Sequence, residues 1–482
     1  MPLSNFQDNS NFLLNKTINL KQCRLHNEKR SLTTSQIIRN GQDQVISIGC
    51  FIEDTSFSSS IAQKTWDLIF QQYPFMTSKI LINETEKWQY FEPQQNQPKL
   101  PGNIFEISSQ QQLDNVLNMT CASDSKLVHI DLYKMKVEGL PFRFLMMFQV
   151  AHSISDGSTT TFLLQRFNRY YTQLQRGEEV KLDFVQKGPF TMVSAYPEDA
   201  DIGPSTSSNY KGLTLTPVKA FSEIEPKIQY HKYHIRFQKK SEFSFKKFKG
   251  ATVSHSMYAT QIIMQCAFMY YTKQLKEDET AHQLVSDLIN ESEFLAQHGN
   301  CKQKLEDIFG NTSVELPIQV AVNMNSTVED ILKQLQQASK SYKNMDTKKH
   351  WEYLLASDHP VIQKQFISSI SSQLVTLLTS SPISLFSVAQ IQLNNNEPNL
   401  FNFTAVSTPE YVCINHQIFD GFSSSDFDAF HSIFQQIQTE VDLNGTKLNT
   451  IEVIQFFVQK LGERNGFKKK NGKKVEVFHF KK

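Results

Sequence analysis

The order of hydrophobic and polar positions predicts alternating strands and helices in the first part of the chain. Residues 43–52, "DQVISIGCFI", have the pattern of a strand, and apolar residues then recur at helical spacing from Ile61 to Tyr73, just before Pro74. Two strand-like runs follow within 127–151. The second, "FRFLMMFQVA", is apolar at almost every position, which predicts a strand covered on both faces.

A second block of elements follows a stretch without periodicity. Residues 181–230 include "SAYPEDADIGPSTSSNYKG", whose Pro, Ser, Gly and Asp content predicts a linker or surface excursion. After it the pattern predicts a strand in "YHKYHIRF", a long buried helix in "SHSMYATQIIMQCAFMYYTKQL" and a strand in "VELPIQVAVN". Thr327 and Asp330 have the spacing of a capping box for the next helix. Further strands are predicted at 374–378, at 383–391 and in "YVCINH".

One arrangement occurs in both blocks: an apolar strand, the motif H-x-x-x-D-G and an amphipathic helix. The motif residues are His152, Asp156 and Gly157 in the first block and His416, Asp420 and Gly421 in the second. The two histidines are separated by about half of the chain, which indicates an ancient duplication. The sequence therefore predicts one half at 1–180, the linker at 181–230 and a second half at 231–482.

A histidine that follows a buried strand is held in a fixed orientation, and its neutral imidazole can act as a general base near pH 7. It can take a proton from a hydroxyl, amine or thiol that attacks a carbonyl. The aspartate can accept hydrogen bonds that fix the turn, and the glycine lets backbones approach closely. A histidine near an aspartate is also a common structural residue, and the motif alone is a weak signal. Its recurrence in the same context favours a functional origin.

Charge and composition exclude several classes of protein. The 482 residues include 49 Lys and Arg against 48 Asp and Glu, so a net charge of +1 gives no field for nucleic acid. The six cysteines are scattered, which predicts reduced thiols in an intracellular, cytoplasmic protein. We recognise no signal peptide, and no apolar run approaches the roughly 20 residues of a transmembrane helix. His231 and His234 have no Cys or carboxylate cluster beside them, so no metal site is predicted.

With these motifs, the sequence resembles the chloramphenicol acetyltransferase-like superfamily. "IAQKTWDLIFQQYPFMTSKI" and "FQVAHSISDGSTTTFLLQRFNRYYTQLQRGE" are similar to the early helix and the catalytic strand, motif and helix of condensation domains. "FGNTSVELPIQV" resembles the stretch where the second half crosses over to the first. "LLTSSPISLFSV" and "YVCINHQIFDGFSSSDF" resemble the hydroxyl-bearing strand and histidine motif of chloramphenicol acetyltransferase. The resemblance implies an α/β (α+β) fold of two similar halves, each a mixed β-sheet flanked by helices, around a V-shaped cleft.

The resemblance also implies roles for the residues of the first motif. His152 matches the general base and Gly157 the tight turn. Asp156 matches a structural aspartate that bonds an arginine, for which Arg143 is one candidate. The histidine that precedes the catalytic one in many condensation domains is Ala151 here, a replacement tolerated in plant-type and alcohol acyltransferases.

Alignment on Pro382 implies that Thr379 occupies the position of the hydroxyl that binds the oxyanion, and Ser380 or Ser381 could serve instead. Base and hydroxyl come from neighbouring halves in the related enzymes, so His152 has a candidate partner. His416, with Asp420 and Gly421, has none that we recognise. The leading interpretation of the second motif is a structural relic, and a second site or a site completed by oligomerisation are alternatives.

The leading functional hypothesis is an acyltransferase that moves an acyl group from a thioester, acyl-CoA as cosubstrate, to a small alcohol or amine. No bound cofactor and no metal are expected. The alternative is a catalytically inactive subunit of the same fold, with protein partners and a structural or scaffolding role in a larger assembly.

Overall fold

A computed structural model describes residues 45–53, 55–83, 88–93, 98–100, 104–117, 126–151, 154–190, 195, 232–239, 248–299, 304, 307–357, 369–370, 374–376, 386–392, 402–407, 411–418 and 424–462. The strands in this part of the chain are, in order, β1 (Val45–Ile52), β2 (Ser78–Asn83), β3 (Trp88–Pro93), β4 (Phe105–Ile107), β5 (Val128–Met135), β6 (Phe144–Ala151), β7 (Lys232–Lys239), β8 (Ala281–Asn290), β9 (Ser313–Val322), β10 (Ser369–Ile370), β11 (Leu374–Thr376), β12 (Phe386–Gln392), β13 (Asn402–Ser407) and β14 (Tyr411–Ile418).

The α-helices are, in the same order, α1 (Ser59–Gln72), α2 (Gln110–Leu117), α3 (Gly157–Gln175), α4 (Val253–Tyr271), α5 (Ser292–His298), α6 (Val328–Lys343), α7 (Thr347–Ser357), α8 (Ser424–Asn444) and α9 (Thr450–Gly462). The capping box predicted at Thr327 and Asp330 is confirmed at the start of α6. The strand predicted from "VELPIQVAVN" is confirmed as β9.

The first lobe is built on a five-stranded mixed sheet in the order β12-β1-β6-β5-β4. Its neighbouring strands are antiparallel, except that β4 runs parallel to β5. Strand β12 comes from the second half of the chain and pairs along β1, from Val45 opposite Gln392 to Phe51 opposite Phe386. The last part of the chain therefore completes the sheet of the first part.

Both faces of this sheet are covered, as the apolar run in β6 predicts. On one face Trp66 of α1 stacks on Phe148 of β6 with ring centroids 4.9 Å apart, and Phe167 of α3 lies against the same indole. On the other face Leu113 and Leu117 of α2 pack against residues of β1, β5 and β6. Strand β6 thus lies in the middle of the first lobe, and the first motif follows its last residue in the chain.

The second lobe contains a three-stranded sheet in the order β10-β8-β9 and a four-stranded sheet in the order β11-β13-β14-β7. Helix α4 is buried on nearly all sides, as its sequence predicts, and packs against α6, α8 and α9 as well as β8. The hydrophobic residues around α4 form one core that extends from Phe190 to Leu461. A separate core, formed by residues from Ile46 to Tyr171 together with Phe309, lies between α1, α3 and the first sheet.

Two phenylalanines that are neighbours in space pack in different cores. Phe309 belongs by sequence to the second half but packs in the core of the first lobe, while Phe190 packs in the core of the second. The N–H of Phe190 donates to the carbonyl of Phe309 at 2.9 Å, where the two segments run side by side in a parallel β-bridge between Phe190 and Gly310. Part of the predicted linker is therefore packed against residues 307–312, which we call the crossing segment.

In the part of the chain that the structure describes, no helix is long and apolar enough to cross a membrane.

Candidate active site

The first H-x-x-x-D-G motif connects the end of β6 to the start of α3. The strand ends at Ala151 and the helix begins at Gly157. The N–H of Ile154 donates to the carbonyl of Ala151 at 3.1 Å, so the chain turns soon after the strand. His152 lies outside the described residues. The motif therefore occupies a short connection between two buried elements.

Asp156 is the N-cap of α3 and is only 1% exposed. Its Oδ1 accepts from the N–H of Thr159 at 2.7 Å, and its own N–H donates to the Thr159 hydroxyl at 3.1 Å. This capping box satisfies backbone groups that the first turn of a helix leaves without intrahelical partners. Gly157 is the first helical residue and has no positive φ, so the expected tight turn at this glycine is replaced by the helix start itself.

The second carboxylate oxygen of Asp156 contacts the crossing segment. Oδ2 accepts from the N–H of Thr312 at 2.6 Å and from its hydroxyl at 3.0 Å. The carbonyl of Gly310 accepts from the N–H of Asp156 at 3.0 Å and from the Thr159 hydroxyl at 2.5 Å. The start of α3 is thus bonded to the crossing segment through both backbone and side chain.

Gly310 allows this segment to lie close to the chain that leaves the first lobe. A Cβ on Gly310 would overlap the backbone oxygen and nitrogen of Phe190. The carbonyl of Phe190 accepts from the N–H of Asn311 at 2.9 Å, and the Gln186 side chain donates to the carbonyl of Phe309. A side chain at this position would push the two backbones apart, so the glycine is required by close approach.

A buried ion pair holds the other end of the crossing segment. Arg166 of α3 donates through Nη2 to Oδ1 of Asp307, and its guanidinium lies 5.2 Å from the Phe184 ring centroid. The Tyr73 hydroxyl donates to the carbonyl of Asp307 at 2.9 Å. Burial raises the pKa of Tyr73 above its usual value, so this hydroxyl stays a proton donor.

The partner of Asp156 differs from the expected arginine. Arg143 is exposed, and Arg166 pairs with Asp307. The bonds recorded for the Asp156 carboxylate come from Thr159 and Thr312, which are neutral donors. A neutral set can hold this carboxylate because the N-terminus of α3 contributes a partial positive charge at the same place.

The remaining predicted site residues are not brought together by what the structure describes. His152, Thr379, Ser380, Ser381, Asp420 and Gly421 lie outside the described residues, so the pairing of base and hydroxyl across the cleft remains a prediction. Among the described residues, no three His, Cys, Asp or Glu side chains are grouped as a metal site requires.

His416 of the second motif lies within β14, two residues before the end of the strand. The antiparallel register places it opposite His234 of β7 and opposite Phe403 of β13. Residues opposite each other in an antiparallel pair lie on the same face of the sheet. The second motif thus begins inside its strand, whereas the first begins after the last residue of β6.

Sequence reasoning missed the residues that hold the first motif. Thr312 lies within "FGNTSVELPIQV", but nothing in the spacing indicates that it contacts Asp156, which is 156 positions away. Arg166 and Gly310 were missed for the same reason. The lone glycine of "FGNT", next to a predicted strand, was the available signal for a close backbone approach.

The comparison with known proteins finds solved structures of similar fold. No family model and no curated protein matches the sequence. The starter condensation domain of rhizomide synthetase, solved in complex with C8-CoA, superposes with a TM-score of 0.59 at 10% identity over 88% of this chain and 97% of that one. The first condensation domain of the calcium-dependent antibiotic synthetase, with a substrate analogue, gives 0.55 at 12% identity over 88% and 98%.

Polyketide synthase associated protein 5 from Mycobacterium tuberculosis gives a TM-score of 0.58 at 10% identity over 85% of this chain and 98% of that one. At such identities the likeness establishes the fold. It extends over nearly the whole of each neighbour, so both lobes are matched. The chain has the two-lobed, chloramphenicol acetyltransferase-like fold of the condensation domains.

Proposed function

We propose that the protein is an acyltransferase that moves an acyl group from a thioester, acyl-CoA, to a small alcohol or amine, with His152 as the general base. The observation that carries the proposal is that the residues flanking His152 in the first motif are anchored to neighbouring elements. The connection that contains His152 runs from a central strand to a helix whose N-cap, Asp156, is buried and bonded at both oxygens. Anchoring of the residues on either side of the proposed base favours preorganisation for proton transfer.

The proposed reaction needs no covalent intermediate because the thioester carbonyl is already activated. The His152 imidazole takes the proton from the acceptor hydroxyl or amine as this group attacks the carbonyl carbon. The C–S bond breaks, and the thiol leaves with the proton from the imidazolium. The Thr379 hydroxyl, or that of Ser380 or Ser381, donates to the oxyanion of the tetrahedral intermediate.

Asp156 is assigned a holding role. Three donors occupy its two oxygens, and each of them belongs to α3 or to the crossing segment. A carboxylate with these bonds orients the connection that contains His152 and takes no proton during the reaction. Thr379, or one of the two serines, is expected to place its hydroxyl within about 8 Å of the imidazole, which leaves room for one tetrahedral carbon.

The neighbours support the choice of donor. The rhizomide starter domain was solved with C8-CoA, which makes this thioester the first donor to test on the present chain. Varying the acyl-CoA and the acceptor in the experiment identifies which acyl group is transferred and to which acceptor.

The test measures release of free thiol from C8-CoA by the full chain, with a panel of small alcohols and amines as acceptors. His152→Ala should lower the rate by about 10²–10⁴-fold, the usual contribution of a general base. His416→Ala is the matched control and should leave the rate near that of the unmodified protein. Equal losses of rate, or a larger loss for His416→Ala, would show that His152 is not the general base. No thiol release with any acyl-CoA and acceptor would favour the catalytically inactive subunit.

A further inference from the structure

We propose that Thr312 is the positioning residue of the acyl-transfer site, in the place where an arginine was expected. It holds Asp156, and through it the connection that contains His152, against the second lobe. This inference rests on the proposed function, and its test includes a measurement that does not depend on activity.

The two oxygens of Asp156 have separate tasks. Oδ1 accepts from Thr159, three residues along the same helix, which is the local bond of an N-cap. Oδ2 accepts two bonds, and both come from Thr312, 156 positions away. Capping α3 does not require the bonds to Oδ2. They therefore serve to fix the helix start relative to the crossing segment.

Thr312 is itself held from the other side. It is fully buried, and its carbonyl accepts from the N–H of Glu291 at 2.8 Å. The Glu291 carboxylate accepts from the Tyr342 hydroxyl at 2.5 Å and lies 3.0 Å from Nε2 of His350. Phe294 stacks on that imidazole with ring centroids 4.0 Å apart. Glu291, which directly follows β8, thus keeps Thr312 in place, and side chains of α5, α6 and α7 surround Glu291 and its partner His350.

The hydroxyl of Thr312 can be removed without removing the whole contact. The N–H of Thr312 and the carbonyl of Gly310 would still bond Asp156 in a valine variant, because both are backbone groups. Valine has nearly the shape of threonine, so the change removes one donor from a buried carboxylate oxygen. The variant therefore tests orientation of the motif with the lobes still in contact.

The experiment compares Thr312→Val, Thr312→Ser and Thr65→Val in the full chain. Thr65 is also fully buried and bonds a backbone carbonyl of α1, so it controls for loss of a buried hydroxyl in the first lobe. With C8-CoA, Thr312→Val should lower kcat by about 10- to 100-fold, because displacing a base by about 1 Å has effects of that size. KM should stay within about twofold, and Thr312→Ser should recover most of the rate.

The second measurement is amide hydrogen exchange of residues 154–160, which needs no substrate. Thr312→Val should accelerate exchange there, whereas Thr312→Ser and Thr65→Val should not. If Thr312→Val exchanges like the unmodified protein, or if Thr65→Val has the same effect at 154–160, the positioning role is wrong. If exchange changes as expected but no variant and no unmodified protein releases thiol, the positioning role holds and the proposed acyl transfer fails.

Discussion

The N–H of Phe190 donates to the carbonyl of Phe309 at 2.9 Å, yet the two side chains pack in different cores, that of Phe309 in the first lobe and that of Phe190 in the second. Phe309 lies against Tyr73 and Phe75, with ring centroids 5.6 and 5.9 Å away. Each lobe therefore contains a side chain from a segment that continues into the other. Loss of one of these side chains should affect the contact between lobes as well as one core.

Phe309→Ala should lower the free energy of unfolding by about 3–5 kcal/mol, because it removes a fully buried aromatic ring. It should also increase amide exchange in residues 184–190, whose Gln186 and Phe190 are bonded to Phe309. Phe434→Ala, another buried phenylalanine but in α8, is the matched control. The interlocked arrangement is contradicted if both variants leave exchange in 184–190 unchanged.

Asp156→Asn should impair folding and loop order more than proton transfer. Three donors face the two oxygens of the Asp156 carboxylate. The asparagine side chain has only one oxygen, so its NH₂ group would point at one or two of these donors and form no hydrogen bond with them. The expected loss of stability is about 1–3 kcal/mol, the cost of an unsatisfied buried group. Thermal unfolding and the pH–rate profile are the two measurements.

The comparison variant for Asp156→Asn is Asp330→Asn, which alters a capping box exposed to water. Water can replace the lost bonds there, so the decrease in stability should be smaller. An Asp156→Asn protein with full thermal stability and a shifted pH–rate profile would show that the carboxylate takes part in proton transfer.

Asp307→Ala should destabilise the fold by about 3 kcal/mol, because it removes the carboxylate that pairs with the buried guanidinium of Arg166. Glu329→Ala provides the contrast. It breaks an ion pair with Lys333 in which both side chains reach water, and such solvent-screened pairs contribute little to stability. Denaturant unfolding of both variants checks the difference, and equal losses would mean that the Arg166–Asp307 pair adds nothing beyond a surface pair.

Asp131 should make stability depend on pH. Partial burial alone would raise the pKa of Asp131, but hydrogen bonds from His129 at 2.7 Å and Tyr133 at 3.2 Å outweigh it and hold the pKa below its ordinary value. The unfolded chain then binds the proton more readily than the folded one. The ionised carboxylate therefore stabilises the fold above the ordinary pKa, and this contribution is lost as the pH falls through the lower, folded-state pKa.

The measurement for Asp131 is thermal unfolding of Asp131→Asn between neutral and acidic pH. The variant should be less stable than the unmodified protein at neutral pH, and the difference should shrink as the solution is acidified below the ordinary carboxyl pKa. Asp278→Asn, which makes the same chemical change in an exposed turn before β8, is the control for the substitution itself. A constant difference at every pH would exclude the linkage.

Local signals predicted much of the fold. The H-x-x-x-D-G motif marked the passage from β6 to α3, the Thr327–Asp330 spacing marked the start of α6, and a long, largely apolar run marked α4 as buried. Helix α9 was missed although Asn449 and Glu452 form a reciprocal cap at its start. The spacing of Asn449 and Glu452 is the same capping signal that Thr327 and Asp330 give for α6.

Pairings between distant parts of the chain could not be predicted in the same way. The alternation in β12 is compatible with either sheet, and the choice of β1 as partner depends on the whole arrangement of the lobes. The same holds for the site. The motif identified Asp156 as a structural residue, but its partner Thr312 is fixed by packing around Glu291 and is invisible to any spacing rule.

The pairing of β12 with β1 has a consequence for synthesis on the ribosome. The outer edge of β1 stays open until residues 386–392 have emerged, because β12 is the strand that covers it. An uncovered strand edge is a template for pairing with other chains. The first lobe therefore lacks its edge strand through most of translation, and the two halves expressed as separate polypeptides should each be prone to aggregation.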